Sequence, residues 1–493
     1  MSSILLTNPY FIKDDPVTRK AMDIYPLLGH GYLASYLEAL GHRVDIHDAS
    51  FDESIDGYLE ALAGSRPEVA GVYGHVLSRN NSFEFASAAR DFGSKLLLAG
   101  GPDATGYYDD YLNNGFDIVV RSEGEETAAE VLEWFEAGAH VEELAKVNGI
   151  AYRDAEGAVI VNPQRAWIGD LDALTFPRRD DRVYKPYMDA WVKMHGYLSL
   201  HLIGARGCPF DCAFCYRPVF GRYYRRRSPE NIVEELEQLT DRFGAKHYRF
   251  VDDTFVVHKQ WVNELSQLIK ERVPGLTFDV LSRSDLMTDD LAEDLADMGV
   301  RRVYFGMESG SDEVLERMHK GVKAEQSMRA AEIVRNHGIE FLSWIMIGYP
   351  GEEKDDIVKT RDMLVRIQPD IVSISVAFPI RQTPFYEEVK DRISPKRSLW
   401  RRTGENRLVF SGRYSPWFYA FAQRWLYKEV ELAKGSYSKL TRPAHTAIKW
   451  VYRAGMELLS LRRPRHETPP DDAPSKPSKR EQPVESDLLE VVR

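Results

Sequence analysis

Three cysteines, Cys208, Cys212 and Cys215, fall within one stretch, GCPFDCAFCY (Gly207 to Tyr216), of a 493-residue chain that holds only 3. Thiolates this close can ligate one metal centre, and the loop is too tight for an ordinary disulfide framework. A structural zinc site closes with four protein ligands. The stretch offers no fourth cysteine and no histidine at finger spacing, so zinc would have to borrow a distant histidine. Three thiolates on a four-iron cluster would instead leave one iron open to a substrate or cofactor, which argues for catalysis.

The elements that must position this loop follow from the apolar pattern. In the first third, strand-like runs at 4–6, 43–47, 69–73, 95–99 and 117–120 alternate with helix-like runs at 26–40, 54–63, 82–92, 108–113 and 126–137. This alternation predicts an α/β fold, a doubly wound Rossmann-like or flavodoxin-like parallel sheet with its ligand at the carboxyl ends of the strands. Those ends carry the loops YGHVLSRNN (73–81), GGPDAT (100–105) and RSEGEET (121–127), which make Ser78, Gly100, Gly101, Asp103, Glu123, Gly124 and Glu125 candidate ligand contacts. No GxGxxG or GxxxxGK[ST] pattern accompanies them, which disfavours a dinucleotide or P-loop site.

The expected domains are 1–145 for this sheet and 146–195 for a connector with a small hairpin and an exposed PRRDD linker (177–181). Residues 196–390 form six βα repeats, two short of a full eightfold barrel. A helical extension spans 391–466, and a Pro-rich, charged tail at 467–493 is expected to be disordered. In the extension, an aromatic run at 416–427 precedes a basic amphipathic segment at 443–465, which can lie on an anionic membrane surface or dock on its own protein.

Composition bounds the rest. A net charge of -12 argues against phosphate-driven nucleic-acid binding. The sequence shows no secretory signal and no apolar run long enough to span a bilayer. Clustered free thiols then point to a reducing, cytoplasmic setting, with peripheral membrane contact through the carboxyl-terminal helices.

The spacing Cys208-x3-Cys212-x2-Cys215, with Phe214 before the last cysteine, resembles the radical S-adenosylmethionine enzymes. The segments FVDDTF (250–255), VYFGMESGSDEVLERMHKG (303–321) and IMIGYPGE (345–352) resemble the same superfamily. The resemblance implies that Cys208, Cys212 and Cys215 bind a [4Fe–4S] cluster whose open iron chelates S-adenosylmethionine. It also implies an external electron donor such as flavodoxin or ferredoxin. Glu308 and Ser309 match positions that contact the methionine or ribose portion, and Asp252 and Arg283 end strands facing that centre. PLLGHGYLASYLEALGHRVDIHDA (26–49), with GGPDAT and RSEGEET, resembles the cobalamin-binding domain of a large radical subgroup. The Asp-x-His-x-x-Gly signature of cobalamin mutases is absent, so His30 is not assigned to cobalt. These resemblances imply C-methylation of an unactivated carbon in a small or lipid-like substrate. The alternatives are a ring-forming cyclase similar to the anaerobic magnesium-protoporphyrin ester cyclase, and a non-catalytic corrinoid or metal carrier.

Overall fold

The computed structural model describes residues 1–393 and 408–461. Its first sheet contains β1 (Ser3–Asn8), β2 (Arg43–Asp48), β3 (Val69–Tyr73), β4 (Leu96–Gly100), β5 (Ile118–Val120), β6 (Ile150–Arg153) and β7 (Val159–Val161). The order is β2-β1-β3-β4-β5-β6-β7; the first five strands are parallel and the last two antiparallel. Successive side chains of a strand point to opposite faces. Leu5, Ala70, Val72, Leu97 and Ala99 therefore pack on Tyr58, Leu62 and Phe85, while Ile4, Leu6, Val69, Leu96 and Leu98 pack on Leu37, Val131 and Leu132. Apolar side chains on both faces are what a parallel sheet sandwiched by helices requires.

The second sheet joins β8 (Ser199–Leu202), β11 (His247–Phe250), β12 (Thr277–Ser282), β13 (Val300–Glu308), β14 (Glu340–Ile347) and β15 (Ile371–Val376). All six strands are parallel and follow chain order, as the repeat count predicts for an open partial barrel. A two-stranded antiparallel ribbon, β9 (Ala205–Arg206) with β10 (Arg225–Arg226), closes off the cysteine loop between its strands.

The structure corrects the sequence reading in three places. The 150–161 hairpin is no separate connector, because it extends the edge of the first sheet beside β5. The PRRDD run is not an exposed linker: Arg179 is buried and ion-paired to Glu235 at 2.8 Å, and the run leads into an unexpected helix, Asp181–His195. GGPDAT, read as a loop, runs into the short helix Pro102–Gly106.

The carboxyl-terminal helices cover the open edge of the barrel. From the Pro416–Ala433 helix, Tyr427 accepts the Ile374 N–H at 2.9 Å and the Gln423 amide donates to the Ile374 carbonyl at 2.5 Å. Side chains thus partner the backbone of the last strand, a protection that edge strands need. The Arg442–Ser460 helix lies on that helix, with Phe421 against Tyr452 and Lys354 paired to Glu457 at 2.7 Å. The tail expected at 467–493 lies outside the described residues, as do 394–407.

Candidate functional site

The cysteine loop is held largely by its backbone, with the Cys208 sulfur 3.5 Å from the Thr254 hydroxyl. Gly207 has φ +87°, and a methyl group there would overlap the Tyr223 carbonyl oxygen, so the turn into Cys208 needs glycine. The Cys208 N–H donates to the Gly221 carbonyl at 3.2 Å, that of Ala213 to Met318 at 2.8 Å, and that of Cys215 to Cys212 at 3.1 Å. Cys208 and Cys212 are buried and Cys215 is half-buried. Burial pushes the Cys215 thiol up to about 12, with Arg217 opposing and Cys212 adding to the rise. A thiol in that setting is deprotonated by a metal rather than by water. Among the described residues, no three His, Cys, Asp or Glu side chains gather around one ion-sized point. Soft donors spread along a loop suit the corners of an iron–sulfur cluster, where each thiolate takes its own iron.

Three strand-end residues surround the loop. Arg283, after β12, stacks on Phe210 at 3.9 Å, is anchored by Asp285 at 2.9 Å, and points Nη1 at the Cys212 sulfur, 3.6 Å away. Glu308 ends β13 at a slip of register against β14 and has φ +64°, an unusual conformation for a residue with a side chain. Its carboxylate accepts from Lys320 at 3.1 Å, a partner that the sequence reading missed. Asp252 uses one oxygen to accept the Gly204 N–H at 2.7 Å, just before the ribbon, and its other oxygen has no partner among the described residues. Burial pushes its carboxyl up to about 7. The Ser309 hydroxyl accepts from the Ser311 N–H at 3.1 Å and lies 3.2 Å from the Thr360 hydroxyl of the neighbouring helix.

A cavity of about 650 Å³ lies between the carboxyl ends of β3, β4 and β5 and the segment Tyr216 to Phe220 that follows the last cysteine. Gly100, Gly101, Glu123, Gly124 and Glu125 all line it. Gly101 has φ +94°, and a side chain there would strike the Tyr73 ring, so the wall stays low where a bulky ligand would lie. Ser78 and Asp103 do not line it. Ser78 is buried at the start of the Arg79–Asp91 helix, and both Asp103 oxygens are held by Arg79 at 2.7 and 2.6 Å, with Tyr111 donating at 2.9 Å. Both brace loops instead. His30 lines the cavity edge-on to Tyr73, and burial pushes its imidazole down to about 4, which keeps it neutral.

Glu123 and Glu125 also do something that no motif announced. Glu123 accepts from Arg206 at 2.9 Å, from Arg225 at 2.9 Å and from the Ile168 N–H at 2.9 Å, and Glu125 accepts from Arg206 at 2.7 Å. Arg206 and Arg225 are paired residues of the ribbon, and Arg206 stands two residues before Cys208. Two buried carboxylates of the first sheet thereby clamp the base of the cysteine loop. Tyr216, Arg217 and Asp253 complete the cavity wall on the barrel side, and the Tyr216 hydroxyl has no partner among the described residues. An apolar-walled chamber with a few unpartnered polar atoms fits a large ligand with a polar rim, such as a corrinoid.

Residues 202–364 match the radical SAM superfamily and residues 15–132 match the B12 binding domain. The chain is 28% identical over 367 residues to an uncharacterized methyltransferase of Pyrococcus horikoshii, covering 73% of this chain and 78% of that one. It is 25% identical to the anaerobic magnesium-protoporphyrin IX monomethyl ester cyclase of Rubrivivax gelatinosus, covering 73% of this chain and 66% of that one. Its fold resembles that of the radical S-adenosylmethionine methyltransferase TsrM from Kitasatospora setae, solved with cobalamin and a [4Fe-4S] cluster bound. The TM-score is 0.68 at 18% identity, over 80% of this chain and 76% of that one.

Proposed function

We propose, for a chain that belongs to the radical S-adenosylmethionine enzymes carrying a B12-binding domain, that it methylates an unactivated carbon of a small or lipid-like substrate. The observation that carries the reading is a cavity lined both by the strand ends of the first sheet and by the segment after Cys215. When bound, the cluster with S-adenosylmethionine supplies hydrogen-atom abstraction and the corrinoid supplies methyl transfer, chemistry that side chains do not perform.

This chain's residues hold and orient those groups. Cys208, Cys212 and Cys215 are the cluster ligands, and Arg283 presents a cation to the Cys212 sulfur. Glu308, paired to Lys320, would contact the methionine or ribose portion of S-adenosylmethionine, while Asp252 fixes the strand that enters the loop. Gly100, Gly101 and the 123–125 turn form the corrinoid wall, and an external carrier such as flavodoxin or ferredoxin supplies the electron.

Anaerobic reconstitution with iron, sulfide and hydroxocobalamin, followed by S-adenosylmethionine, reductant and substrate extracts, tests the reading. The expected products are a methylated compound, 5′-deoxyadenosine and S-adenosylhomocysteine, and Cys212→Ala should abolish the cluster absorption and all three. Absence of 5′-deoxyadenosine under every condition would overturn radical chemistry. A ring-closed product without S-adenosylhomocysteine would favour the cyclase reading that the Rubrivivax relative supports.

A further inference from the structure

The Arg442–Ser460 helix is amphipathic the wrong way round for a helix facing water. Its inward side carries Met456, which is fully buried, together with the partly buried His445, Lys449 and Tyr452. After Arg442, every exposed residue of the helix is apolar: Pro443, Ala444, Ala447, Ile448, Trp450, Val451, Ala454 and Leu458. Trp450 is 54% exposed, Val451 63% and Leu458 66%, and the stripe is prolonged by Leu440 at 93% and Leu461 at 80%. An ordinary surface helix places its charges on that side. Here Lys449 and Glu457 are drawn inward by Glu429 and Lys354.

Two exposed cations, Lys439 and Arg442, stand at the start of the stripe, and the sequence around it is basic. Residues 439–465 hold seven basic residues, Lys439, Arg442, Lys449, Arg453, Arg462, Arg463 and Arg465, against one carboxylate, Glu457, in a chain whose net charge is -12. Lys439 and Arg442 are exposed at the start of the stripe and make no ion pair among the described residues. A continuous apolar face with tryptophan in it and basic residues at its start is the chemistry of an interfacial helix on an anionic bilayer. A second copy of this chain is the poorer occupant, because a two-fold contact would bring like cations face to face.

We infer that this helix docks the protein on the surface of an anionic lipid membrane, with Trp450, Val451, Leu458 and Leu461 entering the headgroup boundary and Lys439 and Arg442 meeting lipid phosphates. The helix lies on the helix that covers the last barrel strand, so docking holds the barrel edge near lipid. Among the described residues no helix is long and apolar enough to cross a membrane.

Co-sedimentation of the full chain with vesicles tests this. Phosphatidylcholine vesicles containing phosphatidylglycerol should bind the protein, and phosphatidylcholine alone should not. Val451→Glu with Leu458→Glu should abolish binding while circular dichroism stays unchanged, since both side chains are exposed. Lys439→Gln with Arg442→Gln should weaken partition roughly tenfold or more and flatten its salt dependence. The inference is overturned if anionic vesicles bind no protein, if both variants bind like the parent, or if the glutamate variant only converts a dimer to a monomer. None of these results bears on the catalytic reading, whose products are measured without vesicles.

Discussion

Replacing Glu123 by glutamine should loosen the cysteine loop from a distance. Glu123, Glu125, Arg206 and Arg225 form a buried group of two anions and two cations, each with a side chain no more than 7% exposed. Neutralising Glu123 leaves two guanidinium groups to share one carboxylate where water cannot reach. Removing one partner of a buried ion pair costs about 3–5 kcal/mol. Glutamine keeps one acceptor oxygen, so the lower end of that range, about 3 kcal/mol, is expected for Glu123→Gln. Glu125 meets one arginine rather than two, and Glu125→Gln should cost less, about 1–2 kcal/mol. Urea unfolding followed by tryptophan fluorescence has a local reporter, because the Trp167 ring lies 5.4 Å from the Arg225 guanidinium. The same variants should retain less iron after reconstitution, in the same order, because Arg206 leads directly into Cys208. A Glu123→Gln protein within about 1 kcal/mol of the parent with full iron would refute the clamp, as would the reverse order of the two variants.

Gly207→Ala should cost about 1–2 kcal/mol for its left-handed backbone, with a further cost from the overlap with Tyr223, and iron bound per chain should fall while circular dichroism is unchanged. Burial pushes the Glu352 carboxyl up to about 8. Its folded value is above its unfolded one, so its contribution to stability is complete below the ordinary carboxylate range and is lost as pH rises through about 8. From pH 7 to 9 the parent should lose about 1.4 kcal/mol that Glu352→Gln does not, measured as the change in urea midpoint. Tyr427→Phe with Gln423→Ala removes two helix hydrogen bonds to the Ile374 backbone and should cost about 1 kcal/mol per bond, read as faster amide exchange along the last strand.

The elements most legible in the sequence were those whose apolar pattern is local and unmixed. The strand runs expected at 43–47 and 69–73 are observed as Arg43–Asp48 and Val69–Tyr73. The Asp181–His195 helix is masked in the sequence because Pro186, which reads as a break, lies inside it. The hairpin at 150–161 was recognised as a hairpin, but its partner strand, β5, lies some thirty residues away, and no local pattern names a partner. Asp103 and Ser309 sit at strand ends, and whether such a polar side chain faces a cavity or a neighbouring arginine or threonine depends on packing.

The sequence alone determined the chemistry of the cysteine loop, since three thiols at fixed short spacing leave few kinds of metal centre open. It also determined most of the succession of strands and helices, because periodicity is written residue by residue. The tertiary structure alone decided that Glu123 and Glu125, more than eighty residues from the loop, clamp Arg206 and Arg225 and so support its base. It alone decided that one cavity serves both halves, and which face of the Arg442–Ser460 helix meets water. The physical reason is the same in each case: backbone periodicity is a local property, whereas the burial of a charge, the closing of a cavity and the exposure of an apolar stripe depend on what the rest of the chain brings alongside.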